Sequence, residues 1–146
     1  MSSPSSTATR VASPTDRALR RLPKLGIAMI LALLLQVVVG VADALWLEVP
    51  ETGNAWATSA PLMLLNAHLL LGTAITLLGL WMLVDAIRSR ARVWIVSTVV
   101  GLLGVIAALG GGSAFLSTNG DPGSSFLMTI GCVVAIAAFI APAVKH

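Results

Sequence analysis

The sequence predicts an all-α membrane protein: a four-helix antiparallel transmembrane bundle with both termini in the cytoplasm. Three observations carry that reading. Of 146 residues, 57% are hydrophobic and only 10% charged, where a soluble domain carries roughly 25% charged residues. Four apolar runs are each long enough to cross a hydrocarbon core. All nine Lys and Arg residues collect on one side of the topology those runs imply. Fifteen charges cannot clothe a water-soluble body, and eight of them lie in the 120 residues from Leu25 to Val144. Lipid is therefore the solvent expected for most of the chain.

Residues 1–23 are mainly Ser, Thr, Pro, Ala and Arg, with too few large apolar side chains to offset the entropy of ordering, so a disordered cytoplasmic tail is expected. Residues 24–146 form the expected four-helix transmembrane domain. Its first helix, about 25–47, follows the basic cluster Arg17, Arg20, Arg21 and Lys24. At 1.5 Å per residue it spans ~30 Å, longer than the apolar part of a cleaved signal, and is expected to stay attached. The second helix, about 61–86, can begin at Pro61, because proline's missing N–H costs nothing in a first turn. The third runs over about 93–116. The fourth, about 122–144, has Pro122 in its first turn and Asp121 or Ser124 as a candidate cap. None of the runs alternates apolar with polar residues, as a membrane β-barrel strand would. Short links favour antiparallel neighbours.

With four spans, both termini share a side with the link between helices two and three. That side holds Arg10, Arg17, Arg20, Arg21, Lys24, Arg88, Arg90, Arg92 and Lys145 against Asp16 and Asp85, a charge of +7. The opposite side holds Asp43, Glu48, Glu51 and Asp121, a charge of −4 with no Lys or Arg. Cytoplasmic loops retain Lys and Arg, so both termini are expected inside the cell. Trp46 and Trp56 would mark the outer interface, Trp81 and Trp94 the inner one. The pI near 10 then reflects topology and attraction to anionic headgroups, and no nucleic-acid-reading motif accompanies it. A single cysteine, Cys132, offers no disulfide framework and sits mid-helix as a small apolar filler.

In lipid the informative residues are the polar and the small ones. Gln36, Gly40 and Asp43 share a face of the first helix, with spacing i, i+4, i+7, one turn beyond Ala32. His68, Gly72, Thr76 and Gly79 share a face of the second. The two faces are expected to meet, with Asp43 ~6 Å and His68 ~10 Å inside the outer boundary at 1.5 Å per residue. A His68–Asp43 pair is one reading. The other is that Asp43 reaches headgroup water while His68 hydrogen-bonds between helices. Gly101, Gly104 and Ala108 on the third helix, and Gly131 and Ala135 on the fourth, have the spacing of helix-packing positions. Gly110, Gly111 and Gly112 mark a place where the third helix can loosen or break. Ser113, Asn119, Asp121, Ser124 and Ser125 cluster at the outer mouth, either as a polar vestibule formed with Asn66 and His68 or as an ordinary capped turn.

Catalytic signatures such as GxSxG or HExxH are absent, and carboxylates and histidines are too sparse for a metal set. No cofactor is expected. The alternative is haem b on His68, with Gly72 leaving room for the macrocycle and a second ligand drawn from Met29, Met63, Met128 or His68 of a second copy. His146 lies at the opposite end of the topology.

The segments His68-Leu69-Leu70-Leu71-Gly72, Gly111-Gly112-Ser113-Ala114-Phe115, and Asp121 followed by Ser124-Ser125-x-x-Met128 resemble those of a group of small uncharacterised bacterial four-helix membrane proteins. Those proteins carry HxxLG on helix two, a GxSxF-like end of helix three, and an acidic residue before SSxxM at the start of helix four. The likeness covers about residues 60–130. It implies the same architecture and points to His68, Phe115, Asp121, Ser125 and Met128, with no activity attached. Leu35-Gln36-x-x-x-Gly40 and His68 are more loosely similar to cytochrome b561-type and haem A synthase-type bundles, a likeness that implies haem handling.

The expected function is a non-catalytic accessory or structural membrane subunit that meets the lipid bilayer and pairs through its Gly/Ala faces with a second copy or another membrane protein. Two alternatives stand beside it. One is a haem-binding electron-transfer or haem-handling subunit using His68. The other is a proton or small-solute passage through Gln36, Asp43 and His68.

Overall fold

The computed structural model describes residues 13–46, 62–118 and 121–144. Expectations for Arg10, Glu48, Glu51, Trp56, Asn119, Lys145 and His146 lie outside them, as do those for the side chains of Trp46 and Met63. Among the described residues the chain forms four helices and no strand: α1 (Pro14–Trp46), α2 (Leu62–Arg88), α3 (Arg92–Ser117) and α4 (Pro122–Ala143). All four are long and apolar enough to cross a membrane.

The first helix begins at Pro14, well before the expected Leu25, so residues 14–23 are helix and not tail. A local start signal explains the difference. Ser13 Oγ accepts from the Asp16 backbone N–H at 3.2 Å, and the Asp16 carboxylate accepts in return from the Ser13 N–H at 3.2 Å. This reciprocal cap satisfies two orphan donors, with Pro14 preset for the first turn. Ala18 and Leu22 then turn inward and are buried. Pro23 lies inside the helix and removes one hydrogen bond, that to the Leu19 carbonyl.

Each helix turns one narrow stripe inward. On α1 the stripe runs through Leu22, Gly26, Met29, Leu33, Gln36, Gly40 and Asp43, and on α2 through Leu65, His68, Gly72, Ile75, Gly79 and Met82. The spacing alternates between three and four residues, which averages to the 3.5-residue repeat of a left-handed packing seam. Packing is most extensive between α3 and α4, then between α1 and α2, and contacts of α1 with α4 and of α2 with α3 close the ring. Leu22, Met29, Leu33, Ile75, Met82, Trp94 and Phe139 fill the middle.

The α3–α4 contact is backbone on backbone. A Cβ on Gly104 would stand 2.6 Å from the Gly131 carbonyl oxygen, and one on Gly131 would stand 2.6 Å from the Ala108 nitrogen. Neither position tolerates a side chain without moving a helix. The Phe139 ring lies against Gly101, and Leu102 lies against Gly79. The third helix does not break at its glycine run: α3 is continuous through Gly110, Gly111 and Gly112. Gly111 instead seats the start of α4, with the Ser124 carbonyl and Met128 nitrogen each 2.7 Å from where its Cβ would be.

Between α2 and α3 the chain reverses in three residues. The Ala91 N–H donates to the Ala86 carbonyl and the Arg90 N–H to the Ile87 carbonyl, both at 3.0 Å. This double bond pattern ends a helix through a left-handed residue, usually glycine. Here that residue is Arg90, at φ 54°, at a cost of about 1 kcal/mol. Trp94, expected to mark the inner interface, is instead only 3% exposed. Its ring sits where a Gly26 side chain would otherwise be, 2.7 Å from the Cβ position. Trp81 faces outward and donates its indole N–H to Asp85 at 3.2 Å.

The glycine contacts differ sharply in what they tolerate. Gly104→Ala and Gly131→Ala should each destabilise the bundle by about 1–3 kcal/mol, the usual cost of overpacking. Gly110→Ala, with nothing within 4 Å of the new methyl, should be neutral or stabilising by up to about 1 kcal/mol. Denaturant unfolding in detergent, followed by circular dichroism, checks the contrast.

Candidate functional site

The seams of α1 and α2 bring Gln36, Gly40 and Asp43 against His68 and Gly72. The residues expected to share a surface do so. Gln36 donates its side-chain amide to the His68 backbone carbonyl at 3.1 Å, crossing from one helix to the other. That carbonyl is already the acceptor site of a helical turn, so the bond clamps the two helices without opening either. Inter-helix bonds of this kind contribute roughly 0.6–2 kcal/mol in membrane bundles.

His68 Nδ1 stands 3.6 Å from Asp43 Oδ2, within ion-pair reach but too long for a hydrogen bond. Their side chains are 22% and 11% exposed. Gly40 makes this approach feasible. Its missing Cβ would lie 2.9 Å from His68 Cε1 and 3.4 Å from Nδ1, so the imidazole occupies the space that any other residue at 40 would fill. Gly72 plays the same part for Gln36, whose Nε2 lies 3.3 Å from the Cβ position, with Leu109 of α3 at 3.9 Å behind it.

Several polar atoms along this seam lack a hydrogen-bond partner. Gln36 Oε1, Asp43 Oδ1 and His68 Nδ1 are all buried without one. Each such atom is costly in an apolar surrounding. Two of them, Asp43 Oδ1 and His68 Nδ1, belong to the facing imidazole and carboxylate; Gln36 lies two helical turns, ~10 Å, from Asp43 along α1.

The other expected members lie elsewhere or act locally. Asn66 is exposed. Thr76 returns its hydroxyl to the Gly72 carbonyl of its own helix at 2.9 Å. Asp121 caps α4, accepting from the Ser124 N–H at 2.9 Å and from the Ser124 hydroxyl at 3.2 Å. Ser125 is half-buried on the first turn of α4, and its carbonyl accepts the Thr129 hydroxyl at 2.9 Å. At Asp121 and Ser124 the arrangement is that of a capped helix start.

Two polar features escaped the sequence reading. Thr98 is completely buried on α3 with its hydroxyl unpaired; its spacing of three and seven residues from Gly101 and Val105 was the available signal. Asp85 is buried and bonded to Trp81 one turn earlier, while Ser89 one turn later donates to the Asp85 carbonyl at 2.7 Å. The i, i+4, i+8 spacing of Trp81, Asp85 and Ser89 marks that face.

Among the described residues no group of three His, Cys, Asp or Glu side chains is placed to hold a metal ion. A haem beside His68 would need the room that Gly72 leaves. The Gln36 amide and Leu109 occupy that room here, 3.3 Å and 3.9 Å from the Gly72 Cβ position. No protein-family model, curated protein or solved structure matches the chain.

The steric link between Gly40 and His68 is measurable as a coupling. Gly40→Ala should destabilise the bundle in the presence of the imidazole and cost little in a His68→Ala background. The double-mutant cycle should return an interaction energy of about 0.5–3 kcal/mol.

Proposed function

We propose that the chain is a multi-pass protein of the cell (inner or plasma) membrane, with four antiparallel helices and both termini cytoplasmic. We infer that it serves as a non-catalytic accessory or structural subunit, associating with a second copy or with another membrane protein. The observation that carries the functional part is the use made of the intramembrane polar residues: Gln36, Asp43 and His68 join α1 to α2 across a glycine-lined approach. That is how a bundle is held in lipid, where burial of apolar surface cannot do it.

The order of contacts supports the antiparallel arrangement. Asp43 meets His68, Gln36 meets Gly72, and Met29 meets Gly79, so numbers fall along α1 as they rise along α2. Arg20 of α1, Arg90 of the α2–α3 turn and Arg92 at the start of α3 border one groove, which supports a single basic end and hence cytoplasmic retention of that end. The small residues Gly101, Gly104, Ala108, Gly131 and Ala135 pack within the chain. A partner would therefore meet the outward surface, where Leu70, Leu103, Phe126 and Val133 are exposed.

A second reading, passage of a proton or small polar solute through Gln36, Asp43 and His68, is favoured by the three buried atoms along that seam that lack a hydrogen-bond partner. Proteoliposomes separate the two. A pH-gradient-driven flux above empty vesicles that disappears in His68→Ala supports passage; flux equal to that of empty vesicles is the outcome expected of the accessory role.

Topology has its own check in a Cys132→Ala background. A cysteine at Asn54 should react with a membrane-impermeant maleimide added to intact cells. One at Arg88 should react only after the cells are opened, and the reverse pattern would refute the orientation.

A further inference from the structure

At the basic end of the bundle, opposite the His68 layer, the start of α1 and the α2–α3 turn enclose an open groove of about 570 Å³. Its wall is apolar, made by Leu19, Pro23, Val93 and the edge of Trp94. Its rim is cationic, with Arg20 on one bank and Arg90 and Arg92 on the other. Among the described residues none of these three guanidinium groups pairs with a carboxylate. Ala91, the residue before α3, provides no side-chain cap, so the first-turn N–H groups of a long helix also lie beside the groove and favour negative charge. Arg90 adds an argument from cost. It occupies a left-handed backbone position where glycine would be cheaper, and strain of this kind is retained where a side chain has work to do.

We propose that this groove binds one anionic phospholipid of the cytoplasmic leaflet. The phosphate sits among Arg20, Arg90 and Arg92, whose planar donors suit a phosphodiester. An acyl chain lies along Leu19, Pro23, Val93 and Trp94. Charge complementarity selects the headgroup and the apolar wall selects a lipid over a free phosphate. The inference rests on the membrane reading above, and it adds a specific site where that reading requires only a generally basic face.

Trp94 supplies the probe. The full chain carrying Trp46→Phe, Trp56→Phe and Trp81→Phe retains one tryptophan, in the groove wall. It is reconstituted into phosphatidylcholine vesicles containing a minor fraction of acyl-brominated phosphatidylglycerol, or the same fraction of brominated phosphatidylcholine. The brominated anionic lipid should quench Trp94 several-fold more. Replacing Arg20, Arg90 and Arg92 together by Gln should abolish the excess. Replacing Arg21, Lys24 and Arg88 by Gln removes the same charge away from the groove and should preserve it. Arg90→Gly relaxes the turn, so its loss of lipid cannot be ascribed to unfolding; it should weaken the preference about fivefold, the worth of one basic side chain at an anionic surface. Equal quenching by the two lipids, or equal loss in both triple variants, overturns the site. Full relief of quenching by millimolar glycerol phosphate would assign the groove to a soluble phosphate and overturn the lipid. A chain that fails to enter vesicles at all overturns the membrane reading itself, an outcome distinct from incorporation without lipid preference.

Discussion

On the membrane reading proposed above, hydrocarbon does not distinguish the inside of an apolar bundle from its outside, and the rest of this structure follows from that constraint. Leucine, valine and isoleucine gain nothing by leaving lipid for protein. What remains to hold the helices is close approach of backbones and hydrogen bonds between helices. Both are concentrated on the seams: Gly104 against Gly131 without intervening side chains, and Gln36 reaching across Gly72 to the His68 carbonyl. The bulky apolar residues are mostly turned outward.

The same constraint decides what could be read from the sequence. The four apolar runs were legible because length and hydropathy alone define them. The Asp121 cap and the shared faces of Gln36, Gly40 and Asp43 and of His68 and Gly72 were legible because polar and small residues stand out in an apolar helix. Less legible was which large residue faces inward. Trp94 looked like an interface anchor by composition, yet Gly26 opposite it creates the space it fills; that pairing spans two distant segments and has no local signature. The early start of α1 did have one, Ser13-Pro14-x-Asp16, but it was hidden in a stretch whose composition suggested a tail. The glycine run at 110–112 is ambiguous in sequence, since glycine either loosens a helix or lets another sit against it, and the neighbouring α4 decides in favour of the second.

The described molecule thus has two chemically different ends. Near one, an imidazole and a carboxylate face each other, each with a buried atom that lacks a hydrogen-bond partner. At the other, three arginines border an apolar groove. The proposed orientation turns the first toward the outer face and the second toward the cytoplasmic leaflet, where anionic lipid is found. The middle, from Met29 and Ile75 to Phe139, is a continuous apolar core between them.

Extraction of native membranes with alkaline carbonate tests the central claim most directly. A chain whose four helices are solvated by lipid stays with the membrane pellet at high pH. Release into the supernatant, in the manner of a protein held at the surface by charge, would contradict the account.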